Sequence, residues 1–255
     1  MKNILKKNDA PLIQIFQKIK MQPKKKLLIF DIDGTLLYSN KIDSQCFADT
    51  FVKIYKKPFP SIDWTTFPHV TDDTIFKTAI KRQLQKEATA EEMQQFKRDF
   101  TNLLHEQRVK KPADFKEIPF AKKTIDNLLA DDQFAVGIGT GGWYEPAKIK
   151  LNHVGIPHDQ LVIEAADGNE TRENILQSVL QKARQCFTFE DVVYIGDAIW
   201  DVETTRNLNM KFVGIRRSGD HDFLKNLGAT QVLTDYSNYK NFLFAIENAT
   251  PPKFL

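Results

Sequence analysis

Cysteine is nearly absent from this sequence. Only Cys46 and Cys186 occur among its 255 residues, far apart and without the paired spacing of a zinc or redox site. A disulfide-built scaffold is excluded, and two reduced thiols in a cytoplasmic compartment are expected. Long apolar runs are missing too. No stretch approaches the roughly 20 residues that a membrane span needs, and Lys6, Lys7 and Asp9 interrupt the apolar region a secretion signal would carry. Neither sign of charge is in excess: 36 Lys and Arg against 33 Asp and Glu leave a net +3. That is too little to make the whole molecule a polyanion binder, so no nucleic-acid partner is expected. The five histidines are scattered and form no cluster suited to a softer metal.

What is present is ordinary globular material, 42% hydrophobic and 27% charged, enough for one large α/β domain or a core with a smaller insert. The lysine-rich segment 1–26 holds one helical signal. Asp9 suits a cap, Pro11 a first turn, and Leu12, Ile15, Phe16 and Ile19 form one apolar stripe. A helix laid on the domain's flank with its lysines in water is expected, and a membrane-surface or partner helix is the alternative.

Short apolar runs then recur at Leu27 to Phe30, Phe134 to Ile138, Leu161 to Ile163, Val192 to Ile195 and Phe212 to Ile215, with Val232-Leu233 as a last edge strand. Helical patterns lie between most of them. Buried strands alternating with helices predict a Rossmann-like parallel sheet covered on both faces. From Tyr38 to about Pro119 the rhythm changes. Ile42 to Tyr55, Thr74 to Leu84 and Glu91 to Val109 read as helices, which predicts a small α-helical domain inserted after the first strand. The expected division is a core of 27–37 and 120–255 interrupted by a helical segment at 38–119.

In open α/β sheets, ligands sit beyond the carboxyl ends of the strands, and four such ends carry polar residues here. Asp31-Ile32-Asp33-Gly34-Thr35 places two carboxylates two residues apart in an extended segment, and Gly34 lets the chain turn without a side-chain clash. Paired carboxylates shift each other's pKa, so that one serves as an ionised nucleophile while the other handles a proton. Gly137-Ile138-Gly139-Thr140-Gly141-Gly142 offers a hydroxyl and bare backbone amides to a phosphate oxygen. Arg172, before a helix that Thr171 can cap, supplies a fixed positive charge. Gly196-Asp197-Ala198-Ile199-Trp200-Asp201 closes the set. Oxygen ligands from Asp31 and Asp197, with a backbone carbonyl and waters, describe a Mg2+ site.

These four segments, in this order, resemble the four motifs of the haloacid dehalogenase superfamily over Leu27 to about Ile215. The helical insert sits where phosphoglycolate phosphatase and β-phosphoglucomutase carry their cap. The resemblance implies a Mg2+-dependent phosphatase acting on a small-molecule phosphate ester; a monomer or homodimer is expected. It makes Asp31 the nucleophile that forms an aspartyl-phosphate. Asp33 becomes the acid and base and touches the metal through its backbone carbonyl. Thr140, Gly141 and Arg172 become the phosphate's binders, and Asp197 a metal ligand that Asp201 supports from behind. The family commonly has lysine where this chain has Arg172, and if Arg172 only caps its helix, Lys148 or Lys150 is the alternative. Thr71-Asp72 resembles a cap-loop element of the phosphoglycolate-phosphatase group, and a plain helix N-cap explains it equally.

Asp33 argues against the dehalogenases proper, which lack an acid there, and against phosphonatases, which have a small residue. A sugar-phosphate mutase keeps the same residues. Gly137, Gly139 and Gly142 also satisfy G-x-G-x-x-G after a strand, with Glu164 further on, as a dinucleotide site requires. That reading leaves Asp31, Asp33, Asp197 and Asp201 without a role. A catalytically silent binding module on the same fold is the third possibility.

Overall fold

Leu27, Leu28, Ile29 and Phe30 are all fully buried, as a strand covered by helices on both sides must be. The computed structural model describes residues 22–23 and 26–254. The helical stripe expected over Asp9 to Ile19 lies outside the described residues. The central strand is β1 (Lys26–Phe30), joined by β2 (Phe134–Gly139), β3 (Val162–Glu164), β4 (Asp191–Gly196), β5 (Lys211–Ile215) and β6 (Val232–Leu233). They form one sheet in the order β6-β5-β4-β1-β2-β3, every pair parallel. Phe30 is in register with Ile138 on one side and Ile195 on the other, so β1, β2 and β4 end together. Strand order reverses at β1, where a doubly wound sheet opens a crevice for ligands.

The insert after β1 carries three α-helices, α1 (Asn40–Tyr55), α2 (Asp72–Leu84) and α3 (Ala90–Lys110). Thr89 and Glu92 form a reciprocal capping box at the start of α3, and Thr71 caps α2. The insert's interior is aromatic: Phe47, Phe51, Phe76, Phe96 and Phe100 are buried, with Phe47 centred 4.8 Å from Phe96 and 5.4 Å from Phe100. At its stem Leu37–Tyr38 pairs antiparallel with Lys116–Glu117. The sequence reading has no strand there, because two residues are too few for alternation to show.

The sheet's faces bury separate clusters. Leu28 and Phe30 point toward the insert's side, with α4 (Ala121–Ala130), α5 (Tyr144–His153) and α9 (Tyr239–Asn248), while Leu27 and Ile29 face α6 (Arg172–Cys186), α7 (Ile199–Asn207) and α8 (His221–Lys225). Gly137 and Gly139 belong to this second packing. A Cβ on Gly139 would lie 2.7 Å from Leu176 Cδ2, and one on Gly137 3.1 Å from Val179 Cγ1. The glycine spacing that matched a dinucleotide fingerprint is thus explained by α6 lying close on β2, and Glu164 is ion-paired with Lys182. No helix of the described residues is long and apolar enough to cross a membrane.

Candidate active site

Four turns leaving the sheet bring Asp31, Thr140, Arg172, Asp197 and Asp201 to one edge. The Asp31 N–H donates to the Ile195 carbonyl at 2.9 Å, extending β1 by one residue. Gly34 then turns with φ +80°, and a Cβ there would fall 2.1 Å from Asp197 Oδ2, so only glycine lets this loop approach Asp197. Asp31, Asp197 and Asp201 each offer a carboxylate oxygen, and these oxygens all lie within 4.8 Å of one another.

Their hydrogen bonding separates them. Asp201 Oδ2 accepts from the Asp197 and Ala198 N–H groups at 3.0 Å each, and its Oδ1 accepts from Arg172 Nη1 at 2.8 Å and the Tyr194 hydroxyl at 3.2 Å. Asp201 is therefore fully engaged in holding its neighbours. Oδ1 of Asp31 and Oδ1 of Asp197 are buried without a hydrogen-bond partner. Two buried carboxylate oxygens without hydrogen-bond partners are costly in a protein interior. A hard divalent cation with oxygen ligands suits that donor set.

Arg172 is a cation already there, as is Arg216, 3.9 Å from Asp197 Oδ2. Arg172 Nη1 lies 3.6 Å from Asp31 Oδ1, its Nε donates to the Val70 carbonyl at 3.2 Å, and its plane rests over Trp200. Burial works against the Arg172 charge, but Asp31 and Asp201 raise its pKa by more. Thr140 Oγ1 accepts from the Gly142 N–H at 3.2 Å, which leaves its hydroxyl proton to donate outward. A Cβ on Gly141 would meet the Val70 carbonyl at 2.5 Å, so glycine is needed there as well.

Asp33 sits apart from the acidic trio. Its carboxylate accepts from the Ser39 hydroxyl and from Lys150 Nζ, the latter at 2.6 Å, and Lys150 also pairs with Asp43. Lys150, expected only as a substitute for Arg172, stands at the site together with it, each cation on a different aspartate. Lys148 is instead paired with Glu145 at 2.8 Å. Ser39, Asp43 and Tyr194 carried no signal of their own.

The insert closes over this edge. Thr71 is the N-cap of α2, and Asp72 goes further: its N–H donates to the Gly141 carbonyl at 2.8 Å and its Oδ2 accepts from the Trp143 N–H at 2.9 Å. The Trp143 indole donates to Asp73 at 2.6 Å, stacks on Phe47 at 5.6 Å and lies under the Lys97 ammonium at 4.9 Å. Thr71 and Thr74 both donate to the Glu170 carbonyl, at 3.1 Å and 2.8 Å.

Burial pushes the Asp31 carboxyl up to about 7; Arg172 opposes this, and Asp201 and Asp33 add to it. Burial likewise raises Asp197, reinforced by Asp201 and Asp31, and raises Asp72. The folded protein thus holds protons that the unfolded chain has released once the pH passes the ordinary carboxylate value. The contribution of Asp31 to stability falls as pH climbs through the window from 3.8 to about 7. We expect the melting temperature of the metal-free protein to drop between about pH 5 and about pH 8, and added magnesium to raise it more at the higher pH. Calorimetry at the two pH values checks this. A magnesium shift of equal size at both would sever the link between these aspartates and the cation.

A family model described as haloacid dehalogenase-like hydrolase matches residues 28–215. No curated protein matches the chain. Among solved structures it is similar to a hydrolase from Pseudomonas syringae, with 18% identity, TM-score 0.64, and coverage of 87% of this chain and 99% of that one. It is also similar to β-phosphoglucomutase from Clostridium difficile, with 14% identity, TM-score 0.63 and coverage of 89% and 98%. CbbY from Rhodobacter sphaeroides, solved in complex with phosphate, shares 14% identity at TM-score 0.59, with coverage of 83% and 95%.

Proposed function

The chain belongs to the haloacid dehalogenase-like hydrolases, and from that premise we propose that it is a Mg2+-dependent phosphatase that cleaves a small phosphate monoester through an aspartyl-phosphate on Asp31. The observation that carries this reading is that Asp31 Oδ1 and Asp197 Oδ1 are buried at the strand ends without hydrogen-bond partners, with Arg172 3.6 Å from the former. A nucleophile, a metal position and a fixed cation converge there.

Asp31 attacks phosphorus, the bond to the ester oxygen breaks, and the phosphoryl group is transferred to the carboxylate. Asp33 gives a proton to the departing alkoxide and later takes one from the water that hydrolyses the acyl phosphate. The Thr140 hydroxyl, the Gly141 N–H and Arg172 bind the non-bridging oxygens and meet the charge that develops on them. Asp31, Asp197 and the Asp33 carbonyl would hold Mg2+, which when bound offsets the repulsion between substrate dianion and nucleophile. Asp201 keeps Arg172 and the Asp197 backbone in place.

In this reading residues 38–119 act as a cap on the core of 27–37 and 120–255, excluding water while the aspartyl ester forms. A cytoplasmic place of action fits the free thiols Cys46 and Cys186. Phosphate release from a panel of small phosphate esters tests the proposal. Turnover is expected with magnesium and is expected to disappear in excess chelator. Equal turnover with chelator present overturns the mechanism, and an isomerised sugar phosphate in place of free phosphate reassigns the chain to the mutases.

A further inference from the structure

Lys150 is a lysine with a 2% exposed side chain, on the buried side of α5 where a residue of its kind is seldom found. Its ammonium lies between two carboxylates, Asp33 Oδ2 at 2.6 Å and Asp43. Burial lowers its pKa, and the two aspartates together raise it by more, so it stays charged. Desolvating an ammonium is costly unless several partners compensate. The arrangement is built around Asp33, because Ser39 donates to the other oxygen of the same carboxylate. Both oxygens of Asp33 are thereby fixed in direction.

The partners come from different parts of the chain. Ser39 is the N-cap residue of α1 and Asp43 lies in its first turn, so both belong to the inserted helices. Lys150 belongs to the helix that follows the Thr140 turn. We propose that Lys150 is the positioning residue of Asp33, pinning its carboxylate to the first turn of α1 through Asp43. The aim of the acid–base group is then set by where the insert stands. This rests on the proposed role of Asp33 as acid and base, and Lys150 itself touches neither the phosphate nor the leaving group. An Asp33 freed from Lys150 would swing about its side-chain torsions and spend less time in the reactive pose.

The test is a double-mutant cycle on the full chain. Lys150→Met keeps most of the volume and removes the charge, and it is combined with Asp33→Asn. Rates are measured on an alkyl phosphate, whose poor leaving group needs the acid, and on an activated aryl phosphate. Lys150→Met alone should lower kcat on the alkyl ester by about tenfold or more, with KM little changed and a smaller loss on the aryl ester, since only part of the acid–base contribution depends on aim. In the Asp33→Asn background the same change should cost nothing further, because nothing is left to position. Equal loss in both backgrounds, or equal loss on both esters, overturns the inference. Should Lys150→Met fail to fold, Asp43→Asn, which leaves Lys150 on Asp33, must show the same pattern on a smaller scale. If Asp33→Asn by itself leaves alkyl-ester turnover unchanged, the reading of Asp33 falls and this inference falls with it, a result distinct from additivity.

Discussion

Asp31→Asn is expected to abolish turnover while leaving the fold intact or firmer. An amide cannot form the acyl phosphate, so no residual covalent route remains. The structural consequence runs the other way. Asp31 is 2% exposed and shares its pocket with Asp197 and Asp201, and a neutral side chain there relieves carboxylate repulsion in a poorly solvated space. The melting temperature at about pH 8, where the wild-type carboxylate is ionised, should therefore rise or hold. Activity falling to background beside an undiminished melting temperature separates chemistry from stability in one variant. Peptide mass spectrometry after quenching the wild-type reaction provides the direct check. A phosphoryl group mapped to any residue other than Asp31 would sink the assignment.

The second large effect is expected at Arg172. Its guanidinium makes three kinds of contact at once: Asp201 at 2.8 Å, Asp31 at 3.6 Å and the Val70 carbonyl at 3.2 Å. Arg172→Ala should cost a hundredfold or more in kcat/KM, since removing one preorganised donor from such a site costs about 3 to 4 kcal/mol. It should also destabilise the protein, because Asp201 Oδ1 keeps only the Tyr194 hydroxyl. Arg172→Lys should fall between the two. A lysine carries the charge but cannot span an aspartate pair and a backbone carbonyl with one ammonium. Unchanged kcat and KM in Arg172→Ala would remove it from the phosphate's partners and leave Lys150 as the basic group to reconsider.

The strands and the place of Asp31 at their edge are readable because a strand buried on both faces writes itself as an unbroken apolar run, and whatever follows it is placed at the sheet's edge. Asp31, Thr140 and Asp197 could all be located in that way. Arg172 is readable from its place at a helix start, just after the residue Thr171 that caps it. Lys150 and Asp43 were not. A charged residue on a helix looks solvated from sequence alone, and these two are buried only because α1 and α5, over a hundred residues apart, bring their charges together. Tyr194 was hidden inside an apolar strand run whose hydroxyl end reaches Arg172 and Asp201. Thr71-Asp72 reads equally as a cap-loop element or as a helix N-cap; Thr71 caps α2 and Asp72 reaches across to Trp143. The stem pairing at Leu37–Tyr38 escaped because its partner lies beyond three helices.

Trp143 gives this molecule an optical reporter that needs no label. Its indole is pressed between a phenyl ring of the insert and a lysine ammonium, with its N–H bound to Asp73 of α2. All three of those partners belong to the inserted helices, whereas Trp143 itself follows the Thr140 turn at the end of β2. Any swing of the insert away from the core strips the ring of its neighbours and lets water reach it, so emission should shift to the red on opening and return on closure. Trp64 and Trp200 contribute a background, and replacing each with phenylalanine isolates the signal. Stopped-flow fluorescence would then time any movement of the insert directly, in the same mixing experiment that follows the proposed turnover.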